Sequence, residues 1–233
     1  MRLTFARPPA AASIRRKRRG FTLIELMVTL AVFAILCLLA MPSFNTWIAN
    51  NRVRAVAEDV SNGLLLARTE ALRRSRQSVF ALTNQANPAG AVNAGAPAYS
   101  AVSGSANNWA VSIAPSLIDS NAGVFVRGGA LADINASVTI NGPAAACFDP
   151  LGNLITNASA VANTGVGASC SAPSGGQPAL IYSVKSASAA GDHPLQIEVG
   201  LGGQVRLCNP AQSLSSGTPG ASEGCQYPQG ATP

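Results

Sequence analysis

Histidine occurs once, at His193, in the turn-like context G-D-H-P-L. No Cys-x-x-Cys pair accompanies it, so the clustered nitrogen and sulfur ligands of a zinc site are missing and no metal is expected. There is no G-x-S-x-G elbow, no Walker loop and no dinucleotide fingerprint. A nucleophile, a base and an orienting group are not assembled anywhere. The chain is therefore read as a non-enzyme, with no catalytic residue and no cofactor. Aromatic residues are scarce, at 5%. Acidic residues are absent before Gly20.

What is present is unevenly placed. Seven of the sixteen Lys and Arg residues (Arg2, Arg7, Arg15, Arg16, Lys17, Arg18, Arg19) precede Gly20, while from Phe21 onward nine cations face ten acids. The formal charge of +6 and the pI near 9.5 thus describe a leader and not the body of the protein. At 233 residues the chain has room for one soluble domain plus an anchor. Its 22 Gly and 15 Pro point to a loop-rich domain.

Between Phe21 and Met41 the ionisable side chains are Glu25 and Cys37 alone. Such a run, as a helix, is long enough to cross a hydrocarbon core of about 30 Å. The cations before it orient the C-terminus away from the cytoplasm. A cleaved secretory signal has a shorter apolar core and a small-x-small site. R-R-G-F-T-L is faintly like a twin-arginine signal, but an acid inside the apolar core argues against that reading. A lone carboxylate in lipid costs several kcal/mol, about 3 or more. Glu25 must then be paired or functional, or else reach back to the membrane surface.

Pro42 is expected to kink this helix without ending it. Beyond it Phe44, Ile48, Val53, Val56, Val60, Leu64, Ala67 and Ala71 recur near a 3.6-residue period and predict one core-facing stripe. Gly63 interrupts that pattern and permits close packing. Glu70 and Arg74 stand in the favourable i, i+4 order, and Arg54 and Glu58 in the weaker one. A helix over 21–75 is expected. The cluster Arg68, Arg73, Arg74 and Arg76 reads as a solvated helix end that complements the dipole. Short β-like runs follow at 77–82, 108–114, 123–128, 136–141, 179–184, 195–199 and 204–208, the last two flanking a G-L-G-G turn. Alternation is clearest in N-W-A-V-S-I-A and Q-I-E-V. The stretches 84–107, 156–178 and 211–233 read as surface loops, partly disordered. The expected fold class is α+β: a long N-terminal helix, membrane-spanning in its first half, packed on an antiparallel β-rich domain. Three regions follow: a leader over 1–20, the helix over 21–76 and a β-rich domain over 77–233.

The stretch G-F-T-L-I-E-L-M-V-T-L-A-V-F-A-I-L-C-L-L-A-M-P after a basic leader resembles the class III leader of type IV pilins and pseudopilins. That resemblance implies cleavage by a prepilin peptidase between Gly20 and Phe21 and N-methylation of Phe21. It also implies that Glu25 pairs with the new amine of a neighbouring subunit during assembly. L-L-L-A-R-T-E-A-L-R-R-S-R-Q-S-V, A-C-F-D-P-L-G-N-L-I and G-G-Q-V-R-L-C are similar to the GspH/FimT group of minor pseudopilins and minor pilins. The expected partners are other pseudopilins or pilins, the peptidase, an inner-membrane assembly platform and, as a candidate, a secreted substrate. The expected location is the inner membrane as a single span with a periplasmic C-terminus, and then a periplasmic pseudopilus or pilus.

Cys37 reads as a small apolar side chain within the span. Cys147, Cys170, Cys208 and Cys225 follow it, on the side where disulfides persist. Four cysteines allow three pairings. Cys147–Cys170 with Cys208–Cys225 closes two short loops and is the expected set, each bridge contributing about 3 kcal/mol. Some FimT-like members carry two arginines flanking one residue in a DNA-linked motif. Here Arg206 stands alone, with Gln204 in the other place. Beyond residue 76 three cations face six acids, so the charge argues against nucleic acid as a partner. N-A-S at Asn135 and at Asn157 is read as chance. The reading is a minor pseudopilin of type II secretion, in a structural role. The alternative is a FimT-like type IV minor pilin in pilus biogenesis, adhesion or DNA uptake, and a membrane-anchored enzyme is the third class weighed.

Overall fold

The computed structural model describes residues 20–85, 92–93, 96–97, 106–114, 124–131, 138–156, 170, 173, 179–186, 193–214 and 223–227, without the side chains of 39–42, 92–93, 96–97, 130 and 213. The basic leader before Gly20, Asn135, Asn157 and the Pro42 side chain lie outside these. The chain divides into two compact units, Met1–Pro42 and Ser43–Pro233. Helix α1 (Leu23–Arg74, 52 residues) contributes to both.

In the first unit, Thr22 caps α1. Its Oγ1 accepts the Glu25 N–H at 3.3 Å, in the T-x-x-E spacing of a capping box. The residues that follow are apolar and every one through Leu38 is exposed. The Thr29 hydroxyl is satisfied within the helix by the Leu26 carbonyl at 2.9 Å. No single described helix is long and apolar enough to cross a membrane; Leu23–Leu38 taken together with Ser43–Arg74 is, by length and composition.

In the second unit, α1 packs on two five-stranded sheets. The first has the order β5-β4-β1-β7-β8. Its strands are β1 (Ser78–Thr83), β4 (Asn108–Ile113), β5 (Val124–Ala130), β7 (Ala145–Phe148) and β8 (Leu154–Ile155), all antiparallel. The second runs β12-β11-β10-β9-β6. It comprises β6 (Val138–Asn141), β9 (Ala179–Ser186), β10 (Leu195–Gly200), β11 (Val205–Ser213) and β12 (Gly224–Cys225). Its pairs are antiparallel except β11–β12, which is parallel. A two-stranded ladder, β2 (Val92–Asn93) with β3 (Ala96–Pro97), forms a third sheet.

One core joins the helix to both sheets. Val53, Val56, Val60, Leu64, Ala67 and Ala71 are wholly buried together with Phe80, Val111, Phe148, Tyr182 and Ile197. Each buried Val or Leu contributes about 1.5–3 kcal/mol relative to exposure. The predicted stripe begins too early, however. Phe44 is 60% exposed and Ile48 is half-buried. Among the described residues the buried stripe begins at Val53, just past the point where the His193 N–H meets Asn50 Oδ1 at 3.1 Å. Gly63 lets two rings lie on the helix: a Cβ there would stand 2.8 Å from Phe80 and 3.0 Å from Trp109. Phe80 stacks on Trp109 at 5.9 Å and meets the Tyr182 edge at the same separation. The Tyr182 hydroxyl is buried with no hydrogen-bond partner among the described residues, and burial pushes its phenol up.

The central strands of the first sheet, β4, β1 and β7, are buried on both faces. Val79, Ala81, Ala110, Ala145, Cys147 and Cys170 form a second apolar cluster, while Phe80 and Leu82 of the same strand enter the main core. The alternation in N-W-A-V-S-I-A therefore separates two cores, not core from solvent: every residue of β4 is buried. The stretches read as surface loops need a matching correction, since Ala106, Cys170 and Cys225 are all buried.

Candidate functional site

The N-terminal end of α1 carries the residues singled out for processing and assembly. A Cβ added to Gly20 would meet nothing within 4 Å, so nothing described within the chain demands glycine there. Phe21 is 83% exposed. Glu25, in the first turn, is the acid closest to the helix N-terminus and is exposed. A carboxylate there is favoured by the helix dipole. The structure thus presents a carboxylate at the head of an apolar helix exposed through Leu38. Cys37 is a free thiol, exposed within that rod.

The far end of α1 is a joint. Arg68 donates from Nε to the Gly152 carbonyl and from Nη2 to the Gly202 carbonyl, both at 3.2 Å. Those carbonyls belong to the turns of F-D-P-L-G-N and G-L-G-G. Asp149 builds the first turn: its Oδ1 accepts the N–H groups of Leu151 at 2.9 Å and Asn153 at 2.8 Å. Gly152 takes φ +79° and Gly203 φ +71°, and a Cβ on Gly203 would overlap the Gly152 carbonyl oxygen. Glycine is required at both points. The arginine cluster is therefore not simply a solvated end. Arg68 and Arg76 bind backbone carbonyls, Arg76 that of Ala114. Arg73 and Arg74 clamp Glu70, each at 2.7 Å, and this clamp, Arg73 foremost, holds the Glu70 carboxyl below its usual range. The sequence reading missed Arg68 because cation spacing at a helix end looks the same whether or not a carbonyl waits opposite.

The cysteines form two bridges, Cys147–Cys170 and Cys208–Cys225. The first holds Cys170 against the face of the first sheet that carries Val79, Ala81 and Ala110. The second ties β12 to β11 beside a buried carboxylate, Glu198, which is 4% exposed. Glu198 accepts from the backbone N–H groups of Gln226 at 3.2 Å and Tyr227 at 2.7 Å, and from Gln196 Nε2 at 3.1 Å. Glu198, Cys208 and Cys225 bring potential ligand atoms within 4.8 Å of one another, but both sulfurs are committed to the disulfide and offer no thiolate. Arg206, nominated for nucleic acid, donates to the Gly224 carbonyl at 3.0 Å. Single-sequence reading had no signal for Glu198, whose backbone donors, Gln226 and Tyr227, lie 28 and 29 residues away.

A capped apolar helix with an acid in its first turn, continuing into a helix packed on a two-sheet domain, is a pilin-like architecture. Residues 15–41 match the prokaryotic N-terminal methylation motif. Residues 56–184, more than half of the chain, match the family described as Type II transport protein GspH, and the chain belongs to that family. It is a family of pilin-like structural subunits. Among solved structures, the chain is similar to the type IV minor pilin FimU of Pseudomonas aeruginosa, with TM-score 0.39, 12% identity, and coverage of 76% of this chain and 95% of that one. It is also similar to the minor pseudopilin EpsH from the type 2 secretion system of Vibrio cholerae, with TM-score 0.39, 9% identity, and coverage of 68% and 98%. No curated protein matches the chain in sequence.

Proposed function

We propose that this chain is a minor pseudopilin of a type II secretion pseudopilus, made as a precursor and cut between Gly20 and Phe21. The observation that carries this reading is Glu25, an acid in the capped first turn of an apolar helix whose residues through Leu38 are all exposed. In the membrane the helix over 21–41 holds the precursor, with the domain in the periplasm. After cleavage the Phe21 amine is N-methylated and remains cationic. During assembly Glu25 of one subunit pairs with the Phe21 amine of its neighbour, and the helix exchanges lipid for other pilin helices. The chain holds no nucleotide-binding motif, so the work of extraction falls to the assembly platform. Catalysis has no place in this scheme, and nucleic acid is not a proposed partner. Pro42 supplies the kink that lets the rod bend where it leaves the membrane.

The methylation motif and the GspH match support a pilin-like role, and the type II description of the family favours secretion over a pilus. N-terminal sequencing with intact mass of the membrane-extracted protein tests processing: the expected start is N-methylphenylalanine at Phe21, and a native start at Met1 or beyond Pro42 overturns the scheme. Glu25→Ala is expected to be processed normally yet recovered poorly in sheared filaments. Loss of export with twitching intact in a deletion strain supports secretion; the converse supports the type IV minor pilin.

A further inference from the structure

Asn-Gly occurs twice in the sequence, at Asn62–Gly63 and at Asn141–Gly142. In both places an aromatic ring fixes the glycine. A Cβ on Gly63 would stand 2.8 Å from the Phe80 ring, and one on Gly142 would stand 2.5 Å from the Tyr182 ring. Packing therefore denies each asparagine a bulkier neighbour that would shield its side-chain carbonyl carbon. The two sites differ in backbone. Asn62 lies inside α1, where the N–H of the buried Gly63 belongs to the helix ladder. Asn141 is the last residue of β6, the terminal strand of the second sheet, bonded to β9. Asn141 is exposed. The bond that Ser183 Oγ makes to it at 3.4 Å goes to its backbone carbonyl and leaves the side-chain amide to solvent.

We propose that Asn141 is a site of spontaneous covalent modification, converting with age to aspartate and isoaspartate, and that the helix protects Asn62 from the same reaction. The Gly142 nitrogen, its proton taken by hydroxide, attacks Asn141 Cγ. The Cγ–Nδ2 bond breaks, Nδ2 takes a proton from water, and ammonia leaves a cyclic succinimide. Water then opens the ring. Addition at the former side-chain carbonyl gives aspartate, and addition at the backbone carbonyl gives isoaspartate. Neither step needs an oxidant, a reductant or an enzyme. In isoaspartate the main chain runs through the side-chain carbon and is longer by that carbon between β6 and β7. Gly142 has no space to be pushed toward Tyr182, which belongs to the main core. Conversion thus places an anion at the edge of the second sheet and lengthens the crossing to the first.

Full-length protein in detergent is held at neutral and at mildly alkaline pH and sampled over days. Peptide mapping after reduction of the disulfides locates the amide-to-acid mass gain, and electron-based fragmentation separates isoaspartate from aspartate. Conversion at Asn141 is expected to run at least about tenfold faster than at Asn62, whose reaction must wait for a packed helix to open. It is expected to quicken as pH rises, because the attacking nitrogen must lose its proton. In denaturant the two sites should convert at similar rates. Asn141→Gln, an exposed replacement, should stay folded and lose the fast gain. Comparable rates at both sites in the folded protein overturn the proposal. So does an Asn141 that is stable when folded yet converts in denaturant. An Asn62 that stays slow in denaturant overturns it as well, since its protection would then not come from the helix.

Discussion

Arg68 Nε lies 3.2 Å from the carbonyl oxygen of Gly152, although 84 residues separate them. The same guanidinium reaches Gly202, 134 residues away. One helical side chain thus holds the turn of each sheet. Gly203 is the tightest point of the joint, with positive φ and no room for a Cβ against Gly152. Gly203→Ala is expected to lower stability by about 2–3 kcal/mol through backbone strain and displacement. Gly202→Ala, whose Cβ meets chiefly the flexible Gln204 side chain at 2.9 Å, is expected to cost less. Chemical denaturation midpoints of the soluble 48–233 fragment, beside the parent, distinguish the two.

The end of α1 offers a change in the opposite direction. Ser75 has φ 50°, Ser75 N–H reaches the Leu72 carbonyl at 3.4 Å and Arg76 N–H the Ala71 carbonyl at 3.2 Å. That is a Schellman arrangement with serine where glycine is usual. Ser75 is exposed. Ser75→Gly is expected to stabilise by about 1 kcal/mol or less, the relief of a left-handed backbone offset by the greater freedom of glycine when unfolded. A Tm unchanged or lowered counts against this assignment.

The bridge between Cys208 and Cys225 closes 17 residues and keeps the N–H groups of Gln226 and Tyr227 on Glu198. Replacing both cysteines by serine is expected to cost about 3 kcal/mol from loop entropy, plus the burden of a buried carboxylate that has lost donors. Amide exchange at Tyr227 should accelerate in that variant. Unchanged protection there would show that the tail holds without its bridge.

Glu70 gives a pH signature. Its folded pKa is lowered from 4.5 by Arg73 and Arg74. The clamp's stabilisation is therefore complete at neutral pH and is lost as pH falls through the ordinary glutamate range and below. Glu70→Gln is expected to cost at most about 1 kcal/mol at pH 7, because Arg73 is solvent-exposed and screened. The difference from wild type should shrink steadily on acidification. A difference independent of pH would assign the effect to packing.

Much of the fold was legible because it rests on local periodicity. The 3.6-residue stripe from Val53 to Ala71 and the apolar run before it can each be read without neighbours. So could the strands at 108–113 and 195–200, whose ends the sequence placed within about one residue, an accuracy not usual for element boundaries. β7 and β8 were not read as strands: A-A-C-F and L-I are too short for a period, and they exist only because β1 offers an edge to Ala145–Phe148.

The sequence alone determined the basic leader, the solitary acid and the family motif, since each is a matter of which residue stands at which spacing along one chain. Tertiary structure decided what those spacings could not carry. It turned Arg68 from a surface cation into the tie between two distant turns, and gave the two glycines φ values that residues with side chains rarely adopt. It placed the N–H groups of Gln226 and Tyr227 on Glu198, 28 and 29 residues away along the chain. Those outcomes depend on where a carbonyl or an N–H arrives from elsewhere in the fold, and only chain closure supplies that.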